Sequence, residues 1–369
     1  MKISCTKNEL VNGVNIVMKA VPSKTTMTIL ECILITASNG TITLTANDTE
    51  IGINTVIAGS IQEEGIIALE AKLLSDIVRK LPDNTVMIET DDTNMTRISC
   101  EKTKINLVGK SGEDFPYPEN IEKEDYITIS QYTLKEVIRQ TIFSIADNDN
   151  NKMMTGELFE INGNMLKVVS LDGHRISIRN IELRQDYPYR KVIIPGKTLN
   201  EISKILSGEV EKVVDIYFTT SNAVFEFGNT VVVTRLIEGQ YFNIDQMLSS
   251  DYETKVSISK KELINCIDRA TLLVKDNDKK PIIISIGNQI LEIKINSTLG
   301  SMNEEIEIEK SGNDLMIGFN PKFLLDALRV IDDENVFLYF MNSKAPCFIR
   351  DDAGKYIYLI LPINFNTVV

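Results

Sequence analysis

Residues 69–81, 194–206 and 319–331 read LEAKLLSDIVRKL, IPGKTLNEISKIL and FNPKFLLDALRVI. An offset of 125 residues brings Lys72, Lys197 and Lys322 into register, and with them Leu74, Leu199 and Leu324. The acids Asp76, Glu201 and Asp326 align too, as do Leu81, Leu206 and Ile331. Each stretch has apolar residues at helical spacing with charges on the other face, the pattern of an amphipathic helix. A second helical pattern precedes each, at 6–21, 133–146 and 259–274, with Thr133 and Ser259 as expected N-caps. Between the helices, stretches such as GTITLTA, NMLKVVS and QILEIKI alternate apolar and polar residues, as strands do. The unit is helix, strands, helix, strands over about 123 residues, three times. Solenoid repeats are roughly 20–50 residues long, so a repeat of this size is a domain. The expected fold is α+β, with boundaries giving domains 1–122, 123–250 and 251–369.

Composition sets limits on function. The chain is 43% hydrophobic and 25% charged over 369 residues, a soluble globular profile. No apolar run reaches membrane-spanning length, and the start lacks the apolar region of a secretory signal, so a cytoplasmic location without membrane contact is expected. Cys5, Cys32, Cys100, Cys266 and Cys347 are scattered and form no CxxC pair, so reduced buried thiols are expected, with no metal and no cofactor. The net charge of −13 argues against a nucleic-acid partner until its distribution is read. The six helical windows hold sixteen Lys and Arg against seven Asp and Glu, a net of +9, which leaves the rest of the chain at −22. Glutamate forms helices as well as lysine does, so propensity alone does not account for the split. Basic helices sharing one face would meet a polyanion, and duplex DNA is the obvious one, contacted through its phosphates without base reading.

Several motifs carry a resemblance over the full length. KSGEDFPYPE (110–119), TGELFEINGNMLKVVSLDGHR (155–175), YLILP and LPIN (361–364) are similar to the bacterial sliding clamp family, the β subunit of DNA polymerase III. The resemblance implies a homodimer closed head-to-tail into a ring, helices lining the hole, double-stranded DNA enclosed without sequence preference, and no catalysis. It implies a processivity role for the replicative polymerase, whose α subunit, the clamp loader and other clamp-motif replication and repair proteins are the partners. By the same likeness Lys24, Lys152, Lys197, Lys279 and Lys280 face DNA. The subunit interface joins Lys72, Ile105 and Leu107 to Arg269, Leu272, Leu273, Glu304 and Glu305. A pocket for a short peptide ending in apolar or aromatic residues takes Leu171, Gly173, His174, Arg175 and Ile176 from one segment. Phe242, Gln246 and Met247 come from a second, and Leu359, Ile360, Leu361, Pro362 and Ile363 from the C-terminal strand. The family usually has threonine at 171, proline at 242 and arginine at 246, and usually ends just after 363. Leu171, Phe242, Gln246 and the NFNTVV extension therefore depart from it, and Phe242 is expected to narrow one subsite.

SLDGHRIS (170–177) holds the only histidine, His174. Ser170, Asp172 and His174 could suggest catalysis, but triads are assembled from distant segments, and no GxSxG, GxGxxG or P-loop occurs. A satisfied structural histidine, or a wall of the peptide pocket, are the other readings. A small-molecule enzyme built on Asp172 and His174 and a scaffold that binds only proteins stay as rivals to the clamp. The charge split separates them: Lys24→Glu with Lys197→Glu should weaken retention on labelled duplex DNA at low salt and lower the slope of log affinity against log salt by about 2. An unchanged slope in a salt titration would remove both lysines from the DNA face.

Overall fold

The computed structural model describes residues 1–116, 123, 126–147, 151–248, 251–274 and 280–365. Helices α1 (Lys7–Val17), α2 (Ala71–Lys80), α3 (Gln131–Thr141), α4 (Gly196–Ile205), α5 (Lys260–Thr271) and α6 (Pro321–Val330) lie where the periodicity places them. Lys72, Lys197 and Lys322 each occupy the second helical position, of α2, α4 and α6. A side chain caps the head of each leading helix in turn, which satisfies an amide with no partner inside the helix. The Thr6 hydroxyl accepts from Glu9 N, and that of Ser259 from Glu262 N. In α3 the cap is Ser130, whose Oγ lies 3.0 Å from Thr133 N, and not Thr133 as expected. The helix begins at Gln131, so Thr133 is already in its first turn and donates its own amide.

The described chain falls into two compact units, 1–134 with 200–236, and 135–199 with 237 onward. In the first unit a five-stranded antiparallel sheet runs Ser60–Glu63, Lys2–Thr6, Thr85–Thr90, Met95–Cys100, Thr103–Val108. A nine-stranded sheet runs Lys110–Ser111, Gly65–Glu70, Cys32–Ser38, Thr41–Asn47, Ile51–Ile57, Thr230–Arg235, Asn222–Phe227, Val213–Phe218, Tyr126–Ser130. Its middle joins the first repeat to the second: Thr55, Ile53 and Ile51 stand opposite Thr230, Val232 and Thr234. The Thr55 and Thr230 hydroxyls are 2.9 Å apart and buried, so neither is left without a partner.

The second unit is built the same way. A seven-stranded sheet runs Gly156–Leu171, Arg175–Pro195, Tyr356–Ile360, Cys347–Arg350, Asn335–Phe340, Thr254–Ser259, Glu309–Gly312. Ile176 and Ile178 stand opposite Leu359 and Ile357, joining the second repeat to the third. A four-stranded sheet runs Gly300–Glu307, Ile290–Ser297, Ile282–Gly287, Leu315–Phe319. Its core cluster takes Leu263, Cys266 and Ile267 from α5 and Leu324, Leu325 and Leu328 from α6. Repetition reaches down to a turn. Asp48 Oδ1 accepts from the amides of Glu50 and Ile51, Asp172 Oδ1 from those of His174 and Arg175, and Ser297 Oγ from that of Leu299.

All five cysteines are buried free thiols, and desolvation pushes Cys5 up to about 11 and Cys266 up to about 12, so neither is a reactive thiolate. No helix among the described residues is long and apolar enough to cross a membrane, and no cluster of metal-ligating side chains occurs among them.

Glu157, in the strand Gly156–Leu171, is fully buried, and neither carboxylate oxygen has a hydrogen-bond partner. Thr141 lies near, but its hydroxyl donates to Val137 O, so burial dominates and pushes the carboxyl up to about 8. An unfolded chain ionises this group near 4.5, so folding must hold it protonated at higher pH. The ionisation of Glu157 therefore has no effect on stability below about pH 4.5, lowers it as pH rises toward 8, and adds nothing further above. Thermal unfolding of Glu157→Gln across pH 5–8 should show a flatter profile than wild type and a higher melting temperature at pH 8. Parallel profiles would mean that the carboxyl ionises freely in the fold.

Candidate functional site

The SLDGHRIS segment is a hairpin turn. Leu171 ends one strand and Arg175 begins the next, with Gly173 at φ +82°, a backbone conformation that glycine adopts without strain. Asp172 organises the turn: Oδ1 takes the amides of His174 and Arg175, and Oδ2 accepts from Arg175 Nε at 2.9 Å. Ser170 Oγ is buried and donates to Thr141 O. Serine and aspartate are thus both committed elsewhere, and the three side chains do not form a nucleophile–base–acid relay.

Arg175 is the centre of the site. It is buried, and its guanidinium donates from Nη1 to Asp326 Oδ2 at 2.6 Å and from Nη2 to Phe143 O. Its guanidinium carbon lies 4.5 Å from the ring centre of Phe323 and 5.4 Å from that of Phe143. A planar cation with several donors is suited to this combination of carboxylates, a carbonyl and ring faces. Arg175 therefore fastens the turn to α6 and to the short 3-10 segment Ile142–Ser144. Its donors are spent on fixing the loop. His174 keeps its side chain exposed, stacks on Phe323 at 5.9 Å, and accepts from Leu361 N through its carbonyl at 2.9 Å.

Around this turn lies an apolar cluster of Leu171, Ile176, Tyr241, Ile244, Tyr339, Phe348 and Leu359, with Phe242 packed against it edge-on to Tyr241. Strand alternation sends Ile360 the other way, into the core of the third repeat, so it is a buried support and not a wall. Met247 is 53% exposed and Leu361 38%, Gln246 is exposed, and Pro362 and Ile363 are half-buried. Apolar walls with a few fixed polar groups are what a peptide anchor needs. Phe143, Phe323 and Asp326 were not among the expected site residues. Asp326 was visible only as one of three aligned helix acids, and no sequence signal links any of the three to Arg175. A cleft of about 360 Å³ in the first unit, lined by Glu9, Asn12, Gln131, Lys212 and Asn229 among others, shares no residue with this site.

Of the expected DNA-facing lysines, Lys24, Lys152 and Lys197 are exposed and Lys280 is half-buried, while Lys279 lies outside the described residues. In the helices, several cations are matched by acids: Lys204 by Glu201, Arg139 by Glu136 and Asp332, Arg329 by Asp268. Four of the eight expected interface residues fall on strands that end a sheet. Ile105 and Leu107 are half-buried in Thr103–Val108, the last strand of the five-stranded sheet, and Lys72 is exposed on α2. Glu304 and Glu305 lie in Gly300–Glu307, the last strand of the four-stranded sheet. Arg269 bridges Glu304, Leu272 is 77% exposed, and Leu273 is half-buried.

Family models described as the N-terminal, central and C-terminal domains of the DNA polymerase III beta subunit match residues 1–121, 128–243 and 245–364. A beta sliding clamp from Staphylococcus epidermidis is 31% identical over 375 residues, covering 99% of either chain. The crystal structure of the DNA polymerase sliding clamp from Bacillus subtilis is 32% identical, with a TM-score of 0.96 over 99% of this chain and 100% of that one. A Eubacterium rectale chain, provisionally assigned as a DNA polymerase III beta subunit, is 66% identical, with a TM-score of 0.97 over the same shares.

Removing Arg175 would leave Asp172 and Asp326 without their cation, an error that costs about 3–5 kcal/mol in a buried pair. Arg175→Met should lower the melting temperature by about 6–10 °C. Arg175→Lys should recover only part of that, because one ammonium cannot reach both carboxylates and the carbonyl. Calorimetry on the three proteins checks this, and a wild-type melting temperature for Arg175→Met would contradict it.

Proposed function

The chain belongs to the bacterial DNA polymerase III beta-subunit family, the sliding clamps, and from that premise we propose that two copies join head to tail in a closed ring around duplex DNA. A sliding clamp gives the polymerase processivity and carries no chemistry of its own. The chain therefore acts on DNA inside the cell, and the cytoplasm is its proposed compartment.

The observation that carries the ring is a pair of open sheet edges. Among the described residues, Thr103–Val108 ends the five-stranded sheet with a strand neighbour on one side only, and Gly300–Glu307 ends the four-stranded sheet in the same way. Long open edges invite pairing with another chain, and a head-to-tail contact between two copies covers both kinds at once. Their chemistry is complementary. The first edge carries exposed Lys102 and Lys104 with Ile105, Leu107 and a 78% exposed Val108. The second carries Glu304, Glu305 and Glu307, with Leu272 and Leu273 on the neighbouring turn after α5. Apolar centre and matched charge suit a lasting interface.

Within such a ring the basic helices, with Lys24, Lys152, Lys197, Lys279 and Lys280, face the enclosed duplex. Few and salt-labile phosphate contacts suffice, because enclosure does the holding and weak contacts permit sliding. The turn at 171–176, the 242–247 segment and the C-terminal strand dock the polymerase α subunit, the clamp loader and other clamp-motif replication and repair proteins through short apolar peptides. Domains 1–122, 123–250 and 251–369 are the ring's repeating parts.

Negative-stain electron microscopy at micromolar concentration should show closed rings with a central hole, and sedimentation should give twice the chain's mass. Leu272→Asp should convert most of the population to single chains and open the rings. A wild type that sediments only as single chains, without a hole, would overturn the ring.

A further inference from the structure

Gly318 lies in the interior of the strand Leu315–Phe319, buried and paired with Ile283. Glycine weakens a strand interior, because it has no side chain to pack and more backbone freedom to lose. Its backbone is not in the left-handed region, so no turn requires it. Close approach does. A Cβ on Gly318 would sit 2.6 Å from Phe365 Cδ1 and 2.8 Å from Ile363 O. The Ile363 amide donates to Gly318 O at 2.8 Å, and two residues earlier the Leu361 amide donates to His174 O at 2.9 Å. The chain just beyond the last strand is therefore pinned at both ends. One pin is the Asp172–Arg175 turn. The other is a glycine whose missing side chain leaves room for a half-buried phenylalanine.

We infer that residues 361–365 form a strap that holds the Leu361–Ile363 wall of the docking site in its binding shape, with Phe365 and Gly318 as positioning residues. The inference rests on the peptide-docking reading above. A segment left loose would have to be ordered by each incoming peptide, and that ordering subtracts from affinity. Pinned by backbone bonds on two different elements, the wall is ordered beforehand. Phe365 touches no peptide in this arrangement and acts through the position of Leu361 and Pro362.

Fluorescence anisotropy with a labelled synthetic peptide ending in leucine and phenylalanine tests this on the full-length protein. Phe365→Ala and Gly318→Ala should each weaken binding by about fivefold, mainly through faster dissociation. The double variant should be no weaker than the weaker single one, because both changes release one strap. Phe365→Leu, which keeps an apolar side chain over the glycine, should restore most of the affinity. Hydrogen exchange at the Ile363 amide should be slow in wild type and fast in Phe365→Ala. If the wild type binds peptide and Phe365→Ala binds it equally well, the strap plays no positioning role. Tighter binding by Phe365→Ala would make the segment a competitor and also overturn the inference. If the wild type binds no peptide at all, the docking reading fails first and the strap falls with it.

Discussion

Two backbone ladders between repeats carry the architecture. Ile51–Ile57 pairs with Thr230–Arg235, and Arg175–Pro195 pairs with Tyr356–Ile360. Neither contact depends on a particular side chain, so neither restricts the sequence strongly. A ladder removes two edges, and removing edges is what a chain of half-open sheets most needs. Once these two ladders form, Thr103–Val108 and Gly300–Glu307 are among the strands that still end a sheet, and the partner copy proposed for them would answer the same rule that joined the repeats.

The proposed docking site differs from the rest of this scaffold by small changes between copies of one turn. The turns at Asp48, Asp172 and Ser297 share the same capping of following amides. Only the second is followed by an arginine that can be buried, because only there do Asp172, Asp326, the Phe143 carbonyl and two aromatic rings converge on it. A buried cation held from several sides fixes orientation more than it adds stability. In this site it sets where His174 presents its ring and its carbonyl, and through the carbonyl it reaches Leu361.

Much of this was legible in the residues, and the exceptions have physical causes. Helix positions followed from period and repeat, and Ser259 was recognised as a cap because serine there precedes an unbroken apolar pattern. At the head of α3 two hydroxyl residues, Ser130 and Thr133, stand close together, and only the fold decides which one faces the open amides. Leu359 and Ile360 are adjacent in sequence, yet strand alternation sends them to different clusters, Leu359 beside the turn and Ile360 into the core of the third repeat. The partners of Arg175 were out of reach, since Phe143 and Asp326 lie 32 and 151 residues from it along the chain. Gly318 gave no signal either: a glycine required by a distant phenylalanine looks, in one dimension, like any other glycine in a strand.

The ladder between the first two repeats also sets an order of events during synthesis. Thr55 must wait for Thr230, 175 residues further along, before its strand has a neighbour on that side. At about 5–20 residues per second, translation leaves that edge uncovered for roughly 9–35 s. The strand Ile51–Ile57 is rich in isoleucine and free of charged residues, so the nascent protein is most vulnerable to wrong pairing before its second repeat has emerged from the ribosome.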